Sequence, residues 1–338
     1  MVLYKTQAMY RTRKGVVFTM AVTKKRMSYP STVGQDIDVS YAVWKDDAKK
    51  PIGVIQLTHG WAEYGERYEE LATFLAENGY VVAAQDHLGH GRTAGLTRIG
   101  LYPKGAAKYM VEDMHELYEI MHKQYKKLPY MLYGHSLGSM MVRDYLQKYA
   151  KDLTAAVICG TIYSPWCGFL LNPLSNLVAG LFSRSYKKSG KKLDKKNAKR
   201  TEEFGNKKPT PVDNVINSWL SYDKENQYNY KNDPYIGLLP TATLLYMLPA
   251  FLNAGKLGWI RKIPKELPLF VISGAQDMAG FWGFAPKNLQ KKFEKKKRNS
   301  TLKVYEHAKH EIHNEGAIKD EVFADLLNFF NSNNPKCK

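Results

Sequence analysis

The chain has 338 residues, 44% of them hydrophobic, and its 50 Lys and Arg against 32 Asp and Glu give a net charge of +18. This length suits one large α/β domain with an insertion, or two ordinary domains. The three cysteines are too few and too scattered for a disulfide framework or a metal cage, which favours a cytoplasmic location. No apolar run approaches the roughly 18 residues that span a bilayer, and no secretory signal is recognisable at the N-terminus.

The excess positive charge is concentrated in two segments. Residues 184–208 contain 11 basic and 3 acidic residues, and residues 287–298 contain 7 and 1. Most charge runs are solvated faces, although a basic surface also attracts nucleic acid or anionic lipid. Because no recognition motif accompanies the charge, the sequence does not predict nucleic-acid binding. No pattern predicts an oligomeric state.

Strand-like and helix-like segments alternate along most of the chain, which predicts a mostly parallel sheet covered by helices on both faces. The alternation stops over residues 163–263, which are helical in pattern and rich in Asn, Lys, Pro and Tyr. We therefore expect an N-terminal extension over 1–22, an α/β core over 23–162 and 264–338, and a helical insertion over 163–263. The predicted strands are 37–44, 51–58, 80–84, a strand starting at Tyr130, 154–160, 267–273 and 302–305. The main predicted helices are 68–77, 106–127, 139–149, 285–297 and 317–330.

A Gly-x-Ser-x-Gly pentapeptide at 134–138 follows a short apolar strand and precedes a helical pattern. This is the sequence of a nucleophile elbow, in which Gly134 and Gly138 remove side chains that would clash in the sharp turn. The turn would push the Ser136 hydroxyl outward, and the N-terminus of the next helix would favour developing negative charge there. Chance alone produces such a pentapeptide in roughly one of every ten chains of this length. The other residues that an elbow serine requires therefore decide whether the motif is functional.

An acid and a histidine follow in the chain order that an elbow serine requires. Asp277 comes directly after a predicted strand, at the sheet edge where open α/β folds place their sites, although Asp also favours ordinary turns. Three histidines follow the last strand. His307 is too close to the strand end, and His313 is expected to begin the final helix. His310 lies on the connecting loop, so we predict Ser136, His310 and Asp277 as nucleophile, base and orienting acid.

The predicted oxyanion donors are two backbone N–H groups. One belongs to Leu137, the residue after the serine, and the other to Trp61 in the loop after an upstream strand. His59 and Gly60 are expected to shape that loop. For Glu63 the pattern leaves two readings open, a hydrogen bond within the loop or the start of a helix.

A second histidine-rich loop, residues 86–93, contains Asp86, His87 and His90 among glycines. These side chains are potential metal ligands, but the glycines suit a tight supporting loop. A metal site needs three or four converging ligands. The sequence therefore predicts structural support here, and it predicts no metal and no cofactor.

The motifs together resemble the α/β-hydrolases of the monoacylglycerol lipase and lysophospholipase type, grouped with the serine aminopeptidase S33 hydrolases. The similarity extends over about residues 23 to 331. It is carried by five motifs in one order: His59-Gly-Trp-Ala-Glu63 with Arg67-Tyr68, Asp86-His-Leu-Gly-His-Gly91, Gly134-His-Ser-Leu-Gly138, Ser273-Gly-Ala-Gln-Asp277 and His310-Glu-Ile-His-Asn-Glu315. The resemblance implies an eight-stranded α/β-hydrolase fold, the same Ser136, Asp277 and His310 triad, the same donors Trp61 and Leu137, and a helical cap. Leu137 stands where many members have Met.

The resemblance favours a carboxylic-ester hydrolase acting on a small lipid or ester substrate. The helical pattern of the cap offers apolar side chains for an acyl chain, although some must simply pack onto the core; the candidates are Trp166, Phe169, Leu170 and Leu248. The basic residues of the cap are a candidate contact with an anionic membrane.

Three alternatives remain on this fold. A thioesterase uses the same chemistry. An aminopeptidase would need acidic residues to hold a substrate ammonium, whereas the cap is mainly basic. A non-catalytic lipid-binding protein would not need the intact set of Ser136, Asp277 and His310.

Overall fold

The computed structural model describes residues 2–4, 22–34, 36–163, 218–236 and 243–338. Eight strands between Val22 and Tyr305 form one mostly parallel sheet, and three residues near the N-terminus add a ninth strand at its edge. The strands are β1 Val2–Tyr4, β2 Val22–Pro30, β3 Asp38–Asp46, β4 Gly53–Thr58, β5 Tyr80–Gln85, β6 Tyr130–His135, β7 Ala155–Cys159, β8 Leu269–Gly274 and β9 Ser300–Tyr305. Their spatial order is β1-β2-β3-β5-β4-β6-β7-β8-β9.

The parallel part of the sheet runs from β5 to β9, and its strands end at one common edge. Thr58 lies opposite Gly134, His135 opposite Cys159, and Ser273 opposite Val304. The loops that follow β4, β6, β8 and β9 therefore leave the same edge, where ligands bind in open α/β sheets.

The sheet is covered on both faces, so its central strands are buried throughout. The helices are α1 Glu69–Glu77, α2 Gly91–Ala94, α3 Ala106–Gln124, α4 Leu137–Tyr149, α5 Lys224–Asn232, α6 Thr243–Asn253, α7 Phe284–Lys295 and α8 Lys319–Ser332. Helices α3, α4 and α7 pack on one face, and α1 and α8 on the other. In α3 the fully buried Met110, Met114, Leu117 and Met121 recur at helical spacing, which explains why this element was predictable.

The alternating pattern and the fold class predicted from the sequence are confirmed. Strand β2 was missed because it carries Lys24, Lys25 and Arg26 in place of alternating apolar residues. Lys24 forms ion pairs with Glu66 and Glu69, which satisfies its charge at the half-buried edge of the sheet.

The boundaries of the extension and of the insertion stay predictions. Of residues 1–22, the structure describes Val2–Tyr4 and Val22, which belong to β1 and β2. Within 163–263 it describes α5, α6 and a single 3-10 turn Trp259–Lys262, and in these parts no strand occurs.

Helix α6 returns the chain from the insertion to the core. The guanidinium of Arg143, on α4, donates to the Ala254 carbonyl at 2.9 Å just beyond the end of α6, and Gln147 donates to Asn253 at the same distance. The Arg143 side chain also lies over the ring of Trp259. These bonds fix α6 against the helix that follows Ser136. Among the helices that the structure describes, none is long and apolar enough to cross a membrane.

Candidate active site

Ser136 occupies a strained turn between β6 and α4. Its backbone has φ 54° and ψ −116°, a conformation that residues with a side chain rarely adopt. The turn is held by the Ser136 N–H, which donates to the Cys159 carbonyl at 3.0 Å, and by the Ser136 carbonyl, which accepts from Ser139. The serine is 8% exposed and lies at the carboxyl edge of the sheet.

Two glycines are required for this turn by close packing. A Cβ on Gly134 would lie 2.5 Å from the Gly138 carbonyl oxygen, and a Cβ on Gly138 would lie 2.1 Å from the Thr58 oxygen. Neither contact can be relieved by a flexible side chain, because both involve backbone atoms. The spacing of the pentapeptide thus follows from the packing of the elbow against β4.

Asp277 and His310 form a buried pair beside the elbow. His310 Nδ1 lies 2.8 Å from Asp277 Oδ1, and the two side chains are 2% and 0% exposed. The Gly280 N–H donates to Asp277 Oδ1 at 3.1 Å and the Ser273 hydroxyl to Oδ2 at 3.2 Å. Burial alone would raise the pKa of Asp277, but His310 and the Gly280 N–H hold it below its usual value. Burial would likewise lower the pKa of His310, yet the Asp277 carboxylate raises it above 6.5.

The structure separates the three candidate histidines. His307 is exposed. His313 is buried in the 3-10 turn Ile312–Asn314, well before α8, and stacks on the ring of Tyr68 at 4.6 Å. Its expected place at the start of the final helix is therefore wrong. Among the described histidines of this loop, His310 is the one whose ring contacts an aspartate, and Nδ1–H donation to Asp277 leaves Nε2 as an acceptor.

The loop after β4 lies directly against the serine. A Cβ on Gly60 would lie 3.0 Å from the Ser136 Cβ. In the described part of the chain, the backbone N–H groups of Trp61 and Leu137 have no protein acceptor. His59 shapes the loop, because its Nδ1–H donates to the Gly60 carbonyl at 2.8 Å.

Glu63, which the sequence left open, connects this loop to the elbow. Its Oε1 accepts from the Gly60 N–H, from the Tyr68 hydroxyl at 2.9 Å and from His135 Nδ1 at 3.1 Å. His135 Nε2 in turn lies 3.1 Å from the His310 carbonyl oxygen. One buried carboxylate thereby ties the Gly60 loop to the neighbour of Ser136 and, through it, to the backbone of His310.

A buried arginine extends this network toward α5. Arg67 lies 3.5 Å from Glu63 Oε2 and donates to Glu311 Oε2 at 2.7 Å. Asn226 of α5 also donates to Glu311, at 2.9 Å. Burial would lower the pKa of Arg67, but the two carboxylates raise it, so the arginine stays charged. Sequence reasoning missed these partners, and the only available signal was the Glu63-x-x-x-Arg67 spacing with a glutamate directly after His310.

The histidine-rich loop has the supporting contacts predicted for it. Asp86 accepts from the Gly65 N–H at 2.8 Å and from the Arg92 N–H at 2.7 Å. His59 Nε2 accepts from the His87 N–H at 2.9 Å, and their rings stack at 3.9 Å. Burial raises the pKa of Asp86 to about 6 and lowers that of His59 to about 4.

A different trio in the described part has metal-ligating atoms within 4.8 Å of one another, namely His135, Cys159 and His313. Both ring nitrogens of His135 already face oxygen acceptors, on Glu63 and His310. A metal at this point would have to break the network around the elbow, so these side chains suit hydrogen bonding better than ligation.

Of the predicted substrate contacts, Trp166, Phe169 and Leu170 lie outside the described residues. Leu248 is half-buried on α6, which packs against α3 and α4. The basic segment 184–208 also lies outside the described residues.

Comparisons with known proteins agree with this geometry. The profile of the family described as "Serine aminopeptidase, S33" matches residues 49–317. The monoacylglycerol lipase of Mycolicibacterium smegmatis is 29% identical over 258 residues, which cover 75% of this chain and 80% of the lipase. The monoglyceride lipase homolog of monkeypox virus is 23% identical and covers 86% of this chain and 94% of its own.

Solved structures give the same assignment. A thermostable carboxyl esterase from Bacillus coagulans, in complex with glycerol, superposes with a TM-score of 0.74 and 30% identity over 93% of this chain and 99% of the esterase. A monoglyceride lipase from Saccharomyces cerevisiae shares the fold, with a TM-score of 0.66 and 18% identity over 91% and 95% of the two chains. The chain is therefore a hydrolase of the α/β-hydrolase fold and belongs to the serine aminopeptidase S33 family.

Proposed function

We propose that this protein is a serine hydrolase that cleaves carboxylic esters through an acyl-enzyme, with a monoacylglycerol or lysophospholipid as substrate. The observation that carries the proposal is the strained Ser136 turn at the same sheet edge as the His310–Asp277 pair. The names of its relatives, a monoacylglycerol lipase and a carboxyl esterase, support the substrate class.

In the proposed mechanism, His310 Nε2 takes the proton of Ser136 as the hydroxyl attacks the ester carbonyl. Asp277 accepts the Nδ1–H bond at 2.8 Å, which fixes the tautomer and stabilises the imidazolium. The N–H groups of Trp61 and Leu137 stabilise the oxyanion. The imidazolium then protonates the leaving alcohol, and water activated by His310 hydrolyses the acyl-enzyme.

The substrate class can be tested with p-nitrophenyl esters of increasing acyl length, using the wild type and Ser136→Ala. We expect turnover by the wild type, a preference for octanoate over acetate, and loss of turnover in the variant. Equal turnover by both proteins would contradict the assignment of Ser136 as the nucleophile. A preference for acetate would contradict the long-acyl substrate while leaving the hydrolase intact.

The family description makes aminopeptidase activity the main rival. Within the described residues, Glu63 and Glu311 are carboxylates whose charge acts on His310, and both are buried and already engaged by Arg67. They are therefore poorly suited to hold a substrate ammonium. Aminoacyl p-nitroanilides should accordingly be poor substrates, and turnover faster than that of the octanoyl ester would favour the rival.

A further inference from the structure

The loop directly after Asp277 presents an unusual number of exposed apolar side chains. Met278, Phe281, Trp282 and Phe284 expose 49%, 53%, 63% and 53% of their surface. They are four of the seven large hydrophobic side chains that are exposed in the described parts of the chain. Single exposed apolar residues are ordinary, whereas a contiguous group marks an interaction surface. Residues 278–284 are named the aromatic loop below.

The backbone of the aromatic loop is held in a strained shape. Phe281, Trp282 and Gly283 have φ values of 52°, 51° and 80°, so two bulky residues in succession adopt the left-handed conformation. The Trp282 N–H donates to the Asp277 carbonyl at 2.8 Å, and the Ala285 N–H to Gly280 at 2.9 Å. Such strain persists only where surrounding bonds impose it, and it clusters at functional sites.

Helix α7, which follows the aromatic loop, carries exposed positive charge. Lys287, Lys291 and Lys295 are exposed and recur every four residues, so they form one face, here called the lysine face. The opposite face of α7 buries Leu289 and Phe293 in the core. Residues 287–298 contain seven basic residues and one acid, so the lysine face has little internal compensation.

We propose that the aromatic loop and the lysine face together form a docking surface for an anionic lipid bilayer. Trp and Phe favour the boundary between headgroups and acyl chains, and lysines near it gain from the negative surface potential. A second copy of this chain is a poor occupant, because pairing would bring two lysine faces together in a protein of net charge +18.

The position of this surface fits a lipid-processing site. The aromatic loop begins at the residue after Asp277, so docking would bring the edge of the predicted site to the bilayer. No residue of the basic segment 184–208 belongs to this surface as it is defined here. The proposal does not depend on the catalytic one, because vesicle binding is measured without turnover.

The first test is vesicle binding of the whole protein and of a double variant, Phe281→Asn with Trp282→Asn. Asn tolerates the left-handed backbone, so the loop shape is retained. On vesicles of phosphatidylcholine with phosphatidylserine, we expect the variant to bind at least about tenfold more weakly, since two aromatic side chains no longer enter the bilayer. Brominated lipids should quench wild-type tryptophan emission more than that of the variant. Leu257→Asn, which removes an exposed apolar side chain elsewhere, is the matched control and should bind like the wild type.

The second test removes charge and leaves the aromatic side chains in place. Lys287→Gln with Lys291→Gln should weaken binding to phosphatidylserine vesicles by about tenfold and leave binding to pure phosphatidylcholine unchanged. Undiminished binding by both double variants would overturn the proposal. So would a wild-type dimer that dissociates in the Asn variant, since the surface would then serve self-association.

Hydrolysis of a short soluble ester separates this proposal from the proposed function. Asn variants that lose vesicle binding but keep soluble turnover, with an unchanged melting temperature, support a docking surface. Wild-type protein that binds vesicles but hydrolyses no ester would contradict the proposed hydrolase function and leave the docking surface supported.

Discussion

Buried histidines of this protein have two kinds of surroundings: His310 is the first group, and His59 and His90 form the second. Burial is equal in the two groups, but the resulting pKa values differ in direction. His310 faces the Asp277 carboxylate, which raises its pKa above 6.5. His59 and His90 are buried just as fully, and burial lowers their pKa to about 4 and about 3. Their hydrogen bonds run to backbone groups and to the Tyr102 hydroxyl.

The difference shows what makes a buried histidine a usable base. Removal from water by itself lowers the pKa of a histidine, because it disfavours the cation. A fixed negative partner stabilises the cation and raises the pKa again. His310 can therefore accept a proton at neutral pH and keep it during a reaction. His59 and His90 stay neutral, so they can shape the loops around the oxyanion donors without exchanging protons with the site.

The largest predicted effect is on activity and tests the first group. Ser136→Ala or His310→Ala should lower kcat for a p-nitrophenyl ester by about 10⁴-fold or more, because nucleophile and base act as a unit. His307→Ala, an exposed histidine three residues away, is the control and should retain wild-type kcat. A His310→Ala enzyme of near wild-type kcat would assign the base to another residue.

The next effect concerns Glu63, which links the loops that carry the two groups. Glu63→Gln should lower kcat by about 10- to 100-fold, as the Gly60 loop loses its fixed register with Ser136. It should also lower the free energy of unfolding in urea by about 1 to 3 kcal/mol, because the buried donors of Gly60, Tyr68 and His135 lose a charged acceptor.

Glu70→Gln is the matched surface control for Glu63→Gln. Glu70 pairs with Lys319 at 2.7 Å but is 64% exposed, so its loss should cost below about 1 kcal/mol. Equal losses in the two variants would mean that the buried network contributes no more than a surface pair.

The pH dependence of activity tests the first group alone. Because the base must be neutral and its pKa is raised, kcat/KM should increase with pH along an acid limb centred above pH 6.5. NMR titration of the His310 ring in Ser136→Ala protein should give the same midpoint. Asp277→Asn should shift that midpoint downward. An unshifted midpoint would mean that the Asp277 carboxylate does not raise the pKa of His310.

The last prediction concerns the second group and appears in stability, with no change expected in activity at neutral pH. His59 and His90 bind protons in the unfolded chain near pH 6.5 but in the folded protein only near pH 4 and 3. Their contribution to the free energy of unfolding is therefore present above pH 6.5. It is lost as the pH falls toward 4, by about 1.4 kcal/mol per pH unit for each histidine. His90→Gln should flatten this slope in urea unfolding, whereas exposed His122→Gln should not.

The sequence predicted most of the sheet because parallel strands are short apolar runs and their helices have apolar faces. It also predicted the order of Ser136, Asp277 and His310, of which the structure brings His310 and Asp277 into contact at 2.8 Å. Their catalytic roles stay predictions until the variants are measured.

The sequence could not predict contacts between residues far apart in the chain. Glu63 meets His135 across 72 residues and Arg67 meets Glu311 across 244, and no local pattern records such pairs. Strand β2 was missed for a related reason, since its lysine and arginine side chains are satisfied by glutamates about 40 residues away.

The most direct test of the central claim is the site of covalent labelling by a fluorophosphonate. Peptide mass spectrometry of the labelled wild type should locate a single adduct on Ser136, and the adduct should be lost in Ser136→Ala and strongly reduced in His310→Ala. Ester turnover without an adduct at Ser136, or an adduct that forms equally fast in His310→Ala, would contradict a serine nucleophile activated by the His310–Asp277 pair.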